Sequence, residues 1–306
     1  MHTTEIGAGD SVGPVRRESA RVGFVGLGNL GRPMALALLR GGWRLAVHDR
    51  VPGRDRECLA AGAEPAAGPA DLAGCGVLAL AVSDDAAVER VLGGPEGLLA
   101  TLAPGALVLV HSTVLPRTAH ELAERAAERG VALLDAPVSG GAERAARGEL
   151  SVMVGGTEAA LVRARPVLDT VGSRVRHLGP AGAGAATKLA NQLMMFAALA
   201  GTHEALELAA AHGVAPAEVL DAVGDSTGDS WVTRHWGFFD EVAAAYQRAG
   251  TPVSERPWSK DLWEVTAAAR AADLRLPLAG LLAQTLADLV ESHARKAQDG
   301  GEEPQP

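Results

Sequence analysis

From Arg21 onward, short apolar runs recur along the chain, each bounded by Gly, Pro or Asp: VGFVG, LAVHD, VLALAV, ALVLV, ALLDAP, LSVMVGG and VRHLG. None shows the polar alternation of a strand with one wet face. Between many of them lie stretches with helical spacing: Leu30 to Arg40, Asp84 to Leu92, Pro116 to Arg129 and Glu158 to Thr170. Strands apolar on both faces, separated by helices, predict a parallel sheet covered on both sides. The expectation is a doubly wound α/β domain over residues 21–179. Strand signals stop after Gly179. A long helix is expected from near Ala183 to about Ala211, then helical pieces at Pro216 to Val223, around Trp231 to Arg248, at Lys260 to Ala272 and at Pro277 to Lys296. This second half, 180–296, reads as an all-α C-terminal domain. Residues 1–20 and 297–306 lack periodicity and read as disordered tails.

A chain of 306 residues can hold two such domains, each with its own core. Its 47% hydrophobic and 21% charged content is that of a globular protein. With only five Trp, four Phe and one Tyr, the cores are expected to be aliphatic. The net charge of −9 argues against nucleic acid and against an anionic membrane surface. Cys58 and Cys75 are the only cysteines, neither a disulfide framework nor a metal site, and no metal is expected. The first twenty residues carry Glu5, Asp10, Arg16, Arg17 and Glu18 without an apolar run, and no stretch reaches the ~18 apolar residues of a membrane span. The expected location is the cytoplasm.

The chemistry begins at RVGFVGLGNLGRPM. Gly26, Gly28 and Gly31 stand in G-x-G-x-x-G spacing, with Leu27, Asn29 and Leu30 between them, directly after a strand and opening a helix. Gly26 allows a tight turn, Gly28 lets main chain approach a pyrophosphate, and Gly31 lets helix pack on strand. Asp49 ends the second strand, eighteen residues past Gly31, where a carboxylate can accept from ribose hydroxyls. A Rossmann dinucleotide site follows. Asp49 favours NAD by repelling a 2′-phosphate, whereas Arg50 beside it leaves NADP open.

Ligands of such sheets sit beyond the carboxyl ends of the strands. Val82 and Ser83 follow the third apolar run and would line the cofactor groove. His111, Ser112 and Thr113 end the fourth; Ser112 and Thr113 are expected near the nicotinamide ribose, and His111 as a groove residue without a catalytic role. The fifth ends in DAPVSGGAERAARGEL, where Ser139, Gly140 and Gly141 offer a hydroxyl and consecutive amides suited to a carboxylate.

These motifs, in order GFVGLGNLGRPMA, HSTV, DAPVSGGAERAARGELSVMVGG, GAGAATKLANQ and WSKDL, resemble the β-hydroxyacid dehydrogenases, the family of 3-hydroxyisobutyrate, tartronate semialdehyde and glyoxylate/succinic semialdehyde reductases. The resemblance spans about residues 21–290. It implies that Lys188, with Asn191 beside it, is the catalytic lysine of the K-x-x-N helix, that Ser139 to Gly141 hold the substrate carboxylate, and that Lys260 lies by the nicotinamide. It also implies NAD(P)-dependent hydride transfer at the 3-hydroxyl or semialdehyde carbon of a small carboxylic acid, and a homodimer or homotetramer built through the helical domains. Two features depart from the pattern: Ser83 stands where the family often has proline, and the stretch from Gly224 to Pro257 follows it loosely.

The helix that carries Lys188, GAGAATKLANQLMMFAALAG, is almost entirely small or apolar, with no acidic residue within one helical turn of the lysine. Hydride removal from an alcohol requires a base for the hydroxyl proton, and an amine serves both directions if its pKa falls toward the working pH. An apolar surrounding would lower it, and Lys260 would add cationic repulsion if the two approach. Asn191, three residues on, shares the Lys188 face and can donate to the substrate oxygen. The ammonium is therefore expected at a cleft between the domains. His203 and Glu204, farther along, read as an interhelix or subunit contact rather than a metal site. Trp231, Trp236, Phe238 and Phe239 read as helical-domain core, with a wall of the substrate pocket as the alternative.

Three rivals are weaker. An imine reductase shares the architecture but generally lacks the lysine. A 6-phosphogluconate dehydrogenase needs a much larger helical domain. A non-catalytic dinucleotide-binding regulatory protein has no need of Ser139, Lys188, Asn191 and Lys260 together.

Overall fold

The structure, a computed structural model, describes residues 13–94 and 97–299 and divides into two compact units that part between Lys188 and Leu189. The first unit is built on nine strands: β1 (Arg21–Val25), β2 (Arg44–His48), β3 (Glu64–Pro65), β4 (Val77–Leu80), β5 (Leu107–Val110), β6 (Ala132–Asp135), β7 (Val138–Ser139), β8 (Ser151–Gly155) and β9 (Arg174–Gly179). Their order is β3-β2-β1-β4-β5-β6-β8-β7, with β9 paired to β8. The pairs from β3 through β6 are parallel, as are β8 and β9. The fully parallel expectation needs one correction: β8 runs antiparallel to β6 and β7. β6 and β7 run the same way, and the chain turns back after β7, through Gly140 and the short helix over Gly141–Arg147, to enter β8.

Helices α1 (Gly31–Arg40), α2 (Arg56–Ala60), α3 (Asp85–Leu92), α4 (Leu98–Thr101), α5 (Pro116–Ala127), α6 (Gly141–Arg147) and α7 (Glu158–Val171) belong to this unit, and α8 (Ala183–Ala211) begins in it. The apolar strands work as their sequence requires. Leu107 and Leu109 of β5 enter one core layer with Phe24, Met34 and Val47. Val108 and Val110 enter the opposite layer with Leu78, Leu80 and Leu122. All four β5 side chains are fully buried, each contributing on the order of 1.5–3 kcal/mol. Order starts earlier than the tail reading placed it. The Val15 N–H donates to the Arg163 carbonyl at 3.1 Å, and the Arg17 guanidinium lies 5.4 Å from the Trp43 ring centroid, a cation–π contact. Residues 1–12 of that predicted tail lie outside the described residues.

The second unit contains the rest of α8, then α9 (Pro216–Gly224), α10 (Trp231–Arg234), α11 (Phe238–Arg248), α12 (Pro257–Ala271) and α13 (Pro277–Asp299). Phe196, Trp258, Leu262 and Leu286 centre its core. The helix expected over Trp231 to Arg248 is two helices, because Gly237 takes φ +91° and breaks the run. Ser230 caps α10, accepting the Thr233 N–H at 3.1 Å. Glu291 on α13 is buried and accepts from Arg256 Nη1 at 2.6 and 2.7 Å and from Trp258 Nε1 at 3.0 Å, locking α12 to α13. Helix α13 continues to Asp299, three residues beyond the expected end, and 300–306 lie outside the described residues. Among the described residues no helix is long and apolar enough to cross a membrane.

Candidate active site

The glycine loop lies between β1 and α1, where β2 flanks β1 on one side and β4 on the other, the reversal of strand order at which α/β sheets bind ligands. The three glycines are required for three different reasons. Gly26 has φ +93°, and a Cβ there would run into the Ala81 carbonyl of the neighbouring strand end. A Cβ at Gly31 would strike the Gly26 carbonyl. At Gly28 the backbone is not left-handed and a Cβ would meet no atom within 4 Å. Nothing in the protein itself demands glycine at Gly28, so the open space beside it fits a ligand's approach. Leu30 precedes α1 and caps it with no side chain, and its first turn holds no acid, which leaves the helix start to an anion. The residues present therefore fit a dinucleotide.

Asp49 ends beside this loop with a carboxylate only 5% exposed. One oxygen accepts the Leu27 N–H and the other the Val51 N–H, both at 2.7 Å, with Arg54 at 3.7 Å. It thus tethers the loop main chain as well as placing negative charge where a ribose would lie. Asn29 and Arg50 are exposed. Across the switch point, Ser112 Oγ accepts the Val82 N–H at 2.9 Å, joining two of the predicted groove loops. Ser83 donates to Asp84 at 2.6 Å, and Thr113 is half-buried beside Ser112. His111 is buried, its Nδ1 donating to the Ala136 carbonyl at 2.8 Å, and burial pushes its pKa down to about 4. That neutral ring pins the end of β5 to the loop after β6.

In that loop Ser139 is half-buried, while Gly140 and Gly141 have φ of +136° and +73°, leaving bare main chain that no L side chain would readily permit. Lys188 is 9% exposed on the second turn of α8. Asn191, half-buried, lies three residues farther along the same uninterrupted helix, its amide donating to Gln192 Oε1 at 3.1 Å.

Lys260, in the second unit, bonds Asp261 and Glu264, each at 2.8 Å. Burial alone would push its ammonium down, but these two carboxylates more than offset it and hold its pKa above the ordinary range. The cationic repulsion expected of Lys260 is corrected accordingly, since its charge is met by two acids of its own helix. Asp261 also accepts from Gln192 Nε2 at 2.5 Å. Sequence reasoning missed this acid, although its place next to Lys260 in WSKDL was visible. It also missed Asp135, whose only signal was its position at a strand end in LLDAP. His203 packs against Trp236 and His293 with centroids 4.8 and 4.6 Å apart, an interhelix contact, and Glu204 is exposed. Among the described residues no group of three side chains could hold a metal ion. His203, Trp236 and Phe239 line a cavity of ≈ 10 Å³, room for one water, so within this unit they act as core.

A parallel sheet with a glycine loop at its switch point, an uncapped helix beyond it and an acid ending the second strand define a dinucleotide-binding enzyme domain. Comparison with known proteins agrees. The family model for the NAD binding domain of 6-phosphogluconate dehydrogenase matches residues 21–179, and the model described as NAD-binding of NADP-dependent 3-hydroxyisobutyrate dehydrogenase matches residues 182–301. A 3-hydroxyisobutyrate dehydrogenase of Pseudomonas aeruginosa is 37% identical over 273 residues, 88% of this chain and 91% of that protein. An NAD-dependent L-serine dehydrogenase of the same organism is 36% identical over 266 residues, 85% and 89% of the two chains. Among solved structures, Mycobacterium tuberculosis 3-hydroxyisobutyrate dehydrogenase with L-serine has a TM-score of 0.77 at 30% identity, covering 90% of this chain and 95% of its own. The chain belongs to the β-hydroxyacid dehydrogenase family, of the 3-hydroxyisobutyrate dehydrogenase type. It is an NAD(P)-dependent hydroxyacid dehydrogenase.

Proposed function

We propose that the enzyme interconverts a small 3-hydroxy carboxylate and its semialdehyde, with Lys188 as general acid and base. The observation that carries this reading is a lysine only 9% exposed on the second turn of α8, with Asn191 three residues on. A lysine in that place, on the same helix as Asn191, is a group that can give and take a proton beside a donor to the same substrate oxygen. The substrate class is supported by the two relatives, named for 3-hydroxyisobutyrate and L-serine. Both compounds carry a carboxylate and a primary alcohol two carbons apart, differing only in a methyl or ammonium group between.

In this reading the Ser139 hydroxyl and the main chain of Gly140 and Gly141 hold the carboxylate. Asn191 donates to the reacting oxygen, and Lys188 takes the hydroxyl proton on oxidation and returns it on reduction. Gly26 to Gly31 with Asp49, Arg50, Val82, Ser83 and Thr113 hold the dinucleotide, and Lys260 lies by its ring. Bound NAD or NADP accepts or supplies the hydride. NAD is proposed as the preferred form, because the Asp49 carboxylate beside the loop opposes a 2′-phosphate. A homo-oligomer is proposed as well, supported by exposed apolar side chains on the helical unit, among them Trp263, Leu274, Leu278 and Leu281.

The test is Lys188→Ala. Turnover of 3-hydroxyisobutyrate and L-serine, followed at the NADH absorbance band, should fall ~100-fold or more while NADH affinity stays near wild type. Unchanged turnover would refute the role.

A further inference from the structure

Helix α8 is capped from a distance. In a capping box the side chain before the helix accepts the N–H of its third residue, and that third residue's side chain accepts the N–H of the cap. Here the cap position is Gly182 and the third residue is Ala185, neither of which has a polar side chain. Asp135, nearly fifty residues earlier, performs both tasks: one carboxylate oxygen accepts the Gly182 N–H at 2.9 Å, the other the Ala185 N–H at 2.8 Å. Where other helices are capped by the side chain before them, the cap is local: Asp84 on α3, Thr157 on α7 and Ser230 on α10. A local capping box would satisfy the same two donors with side chains of the helix start itself. The remote cap therefore does something a local one could not: it ties α8 to a particular point of the sheet.

That point is the root of the Ser139–Gly141 loop. Asp135 is the last residue of β6 and is wholly buried. From there to Ser139 the main chain is held at every step. The Ala136 N–H donates to the Val110 carbonyl at 2.8 Å, and the Ala136 carbonyl accepts from His111. The Pro137 carbonyl accepts the Met153 N–H at 3.0 Å, and Val138 and Ser139 pair with Val152 and Ser151. In the other direction, Lys188 follows Ala185 by three residues, less than one turn. We infer that Asp135 is a positioning residue that couples the placement of Lys188 to that of the Ser139–Gly141 loop. This rests on the roles proposed above for Lys188 and the loop.

The packing around the carboxylate supports the assignment. A Cβ at Gly155 would lie 2.5 and 2.7 Å from its two oxygens, and one at Gly184 would lie 2.9 Å from Oδ2. Two glycines thus leave the space that this carboxylate occupies. Burial raises the Asp135 pKa, opposed by the N–H groups of Gly182, Ala185 and Gly184 and by its own.

Asp135→Asn keeps the shape but turns one acceptor into a donor facing an N–H. Turnover should fall about 10- to 100-fold, the range expected when a reacting group is displaced by ~1 Å. The discriminating measurement is the double-mutant cycle with Lys188→Ala. If Asp135 acts through Lys188, adding Asp135→Asn to Lys188→Ala changes the residual turnover by less than ~2-fold. The same proportional loss in both backgrounds, or no loss in the wild-type background, overturns the inference while leaving the role of Lys188 intact. Unchanged turnover in Lys188→Ala alone refutes the role of Lys188, and the inference falls with it. Should Asp135→Asn not fold, Asp135→Ser, which leaves room for a water between the two N–H groups, is put through the same cycle, and the same outcomes decide.

Discussion

Gly28→Ala separates what the fold needs from what the ligand needs. An added methyl at Gly28 meets no protein atom within 4 Å, and the residue is not among those with positive φ. The protein without dinucleotide should therefore keep its stability, or gain about 0.4–1 kcal/mol from reduced freedom of the unfolded chain. The dinucleotide should not be indifferent, because the methyl occupies the approach of its pyrophosphate. Crowding one methyl into a packed contact typically costs about 1–3 kcal/mol. That corresponds to a rise of roughly 5- to 150-fold in Kd. NADH fluorescence titration reads the Kd directly, and thermal denaturation gives a second readout. At a dinucleotide concentration of 100 Kd, binding stabilises the protein by about 2.7 kcal/mol; a 30-fold weaker Kd leaves about 0.9 kcal/mol. The melting temperature should be unchanged without NADH and should rise much less with it. Gly31→Ala is the control, since its Cβ would strike the Gly26 carbonyl and should lower stability with or without ligand. Wild-type affinity in Gly28→Ala would refute the reasoning, because the space beside Gly28 would then not be the pyrophosphate's.

Two further expectations concern groups outside the reacting site. Glu291→Ala leaves the buried Arg256 guanidinium and the Trp258 Nε1 without their carboxylate, and should cost about 3–5 kcal/mol, seen as a lower urea midpoint; an unchanged midpoint would remove this pair from the account of the helical unit. His111, buried neutral with a pKa pushed down to about 4, contributes stability that is present above pH 6.5 and lost as the pH falls toward 4. At 1.36 kcal/mol per unit the loss is up to about 3 kcal/mol, and His111→Gln should flatten that part of the stability–pH curve if the imidazole is its source.

What could be seen in the chain beforehand depended on how far each constraint reaches. The glycine loop was legible because all its demands fall within six residues and each selects the same residue type. The two-unit architecture was legible because apolar strands give way to helical spacing once, near Gly179. The break in the helix after Trp231 was not, since helical composition continues through Gly237 and only its positive φ interrupts the run. The reversal of β8 was hidden for a related reason: LSVMVGG has the same texture whichever way it pairs, and direction is set by the turn before it.

The charges show the same limit more sharply. Lys260 looked like a bare cation in WSKDL because a neighbour in sequence need not face the same way; only the folded helix brings Asp261 and Glu264 to its ammonium. Asp135 looked like the end of a strand, with nothing in LLDAP to say that its carboxylate closes a helix nearly fifty residues on. Even so, one trace was there to read. GAGAATKLANQ opens a 29-residue helix with no Ser, Thr, Asp or Asn where a cap belongs, and orphan N–H groups at a buried helix start must find an acceptor. A long helix with no cap of its own therefore predicts a remote acceptor, and acids ending apolar strands are the first places to look. In this chain that search has two candidates, Asp49 and Asp135, and Asp49 is already claimed by the glycine loop.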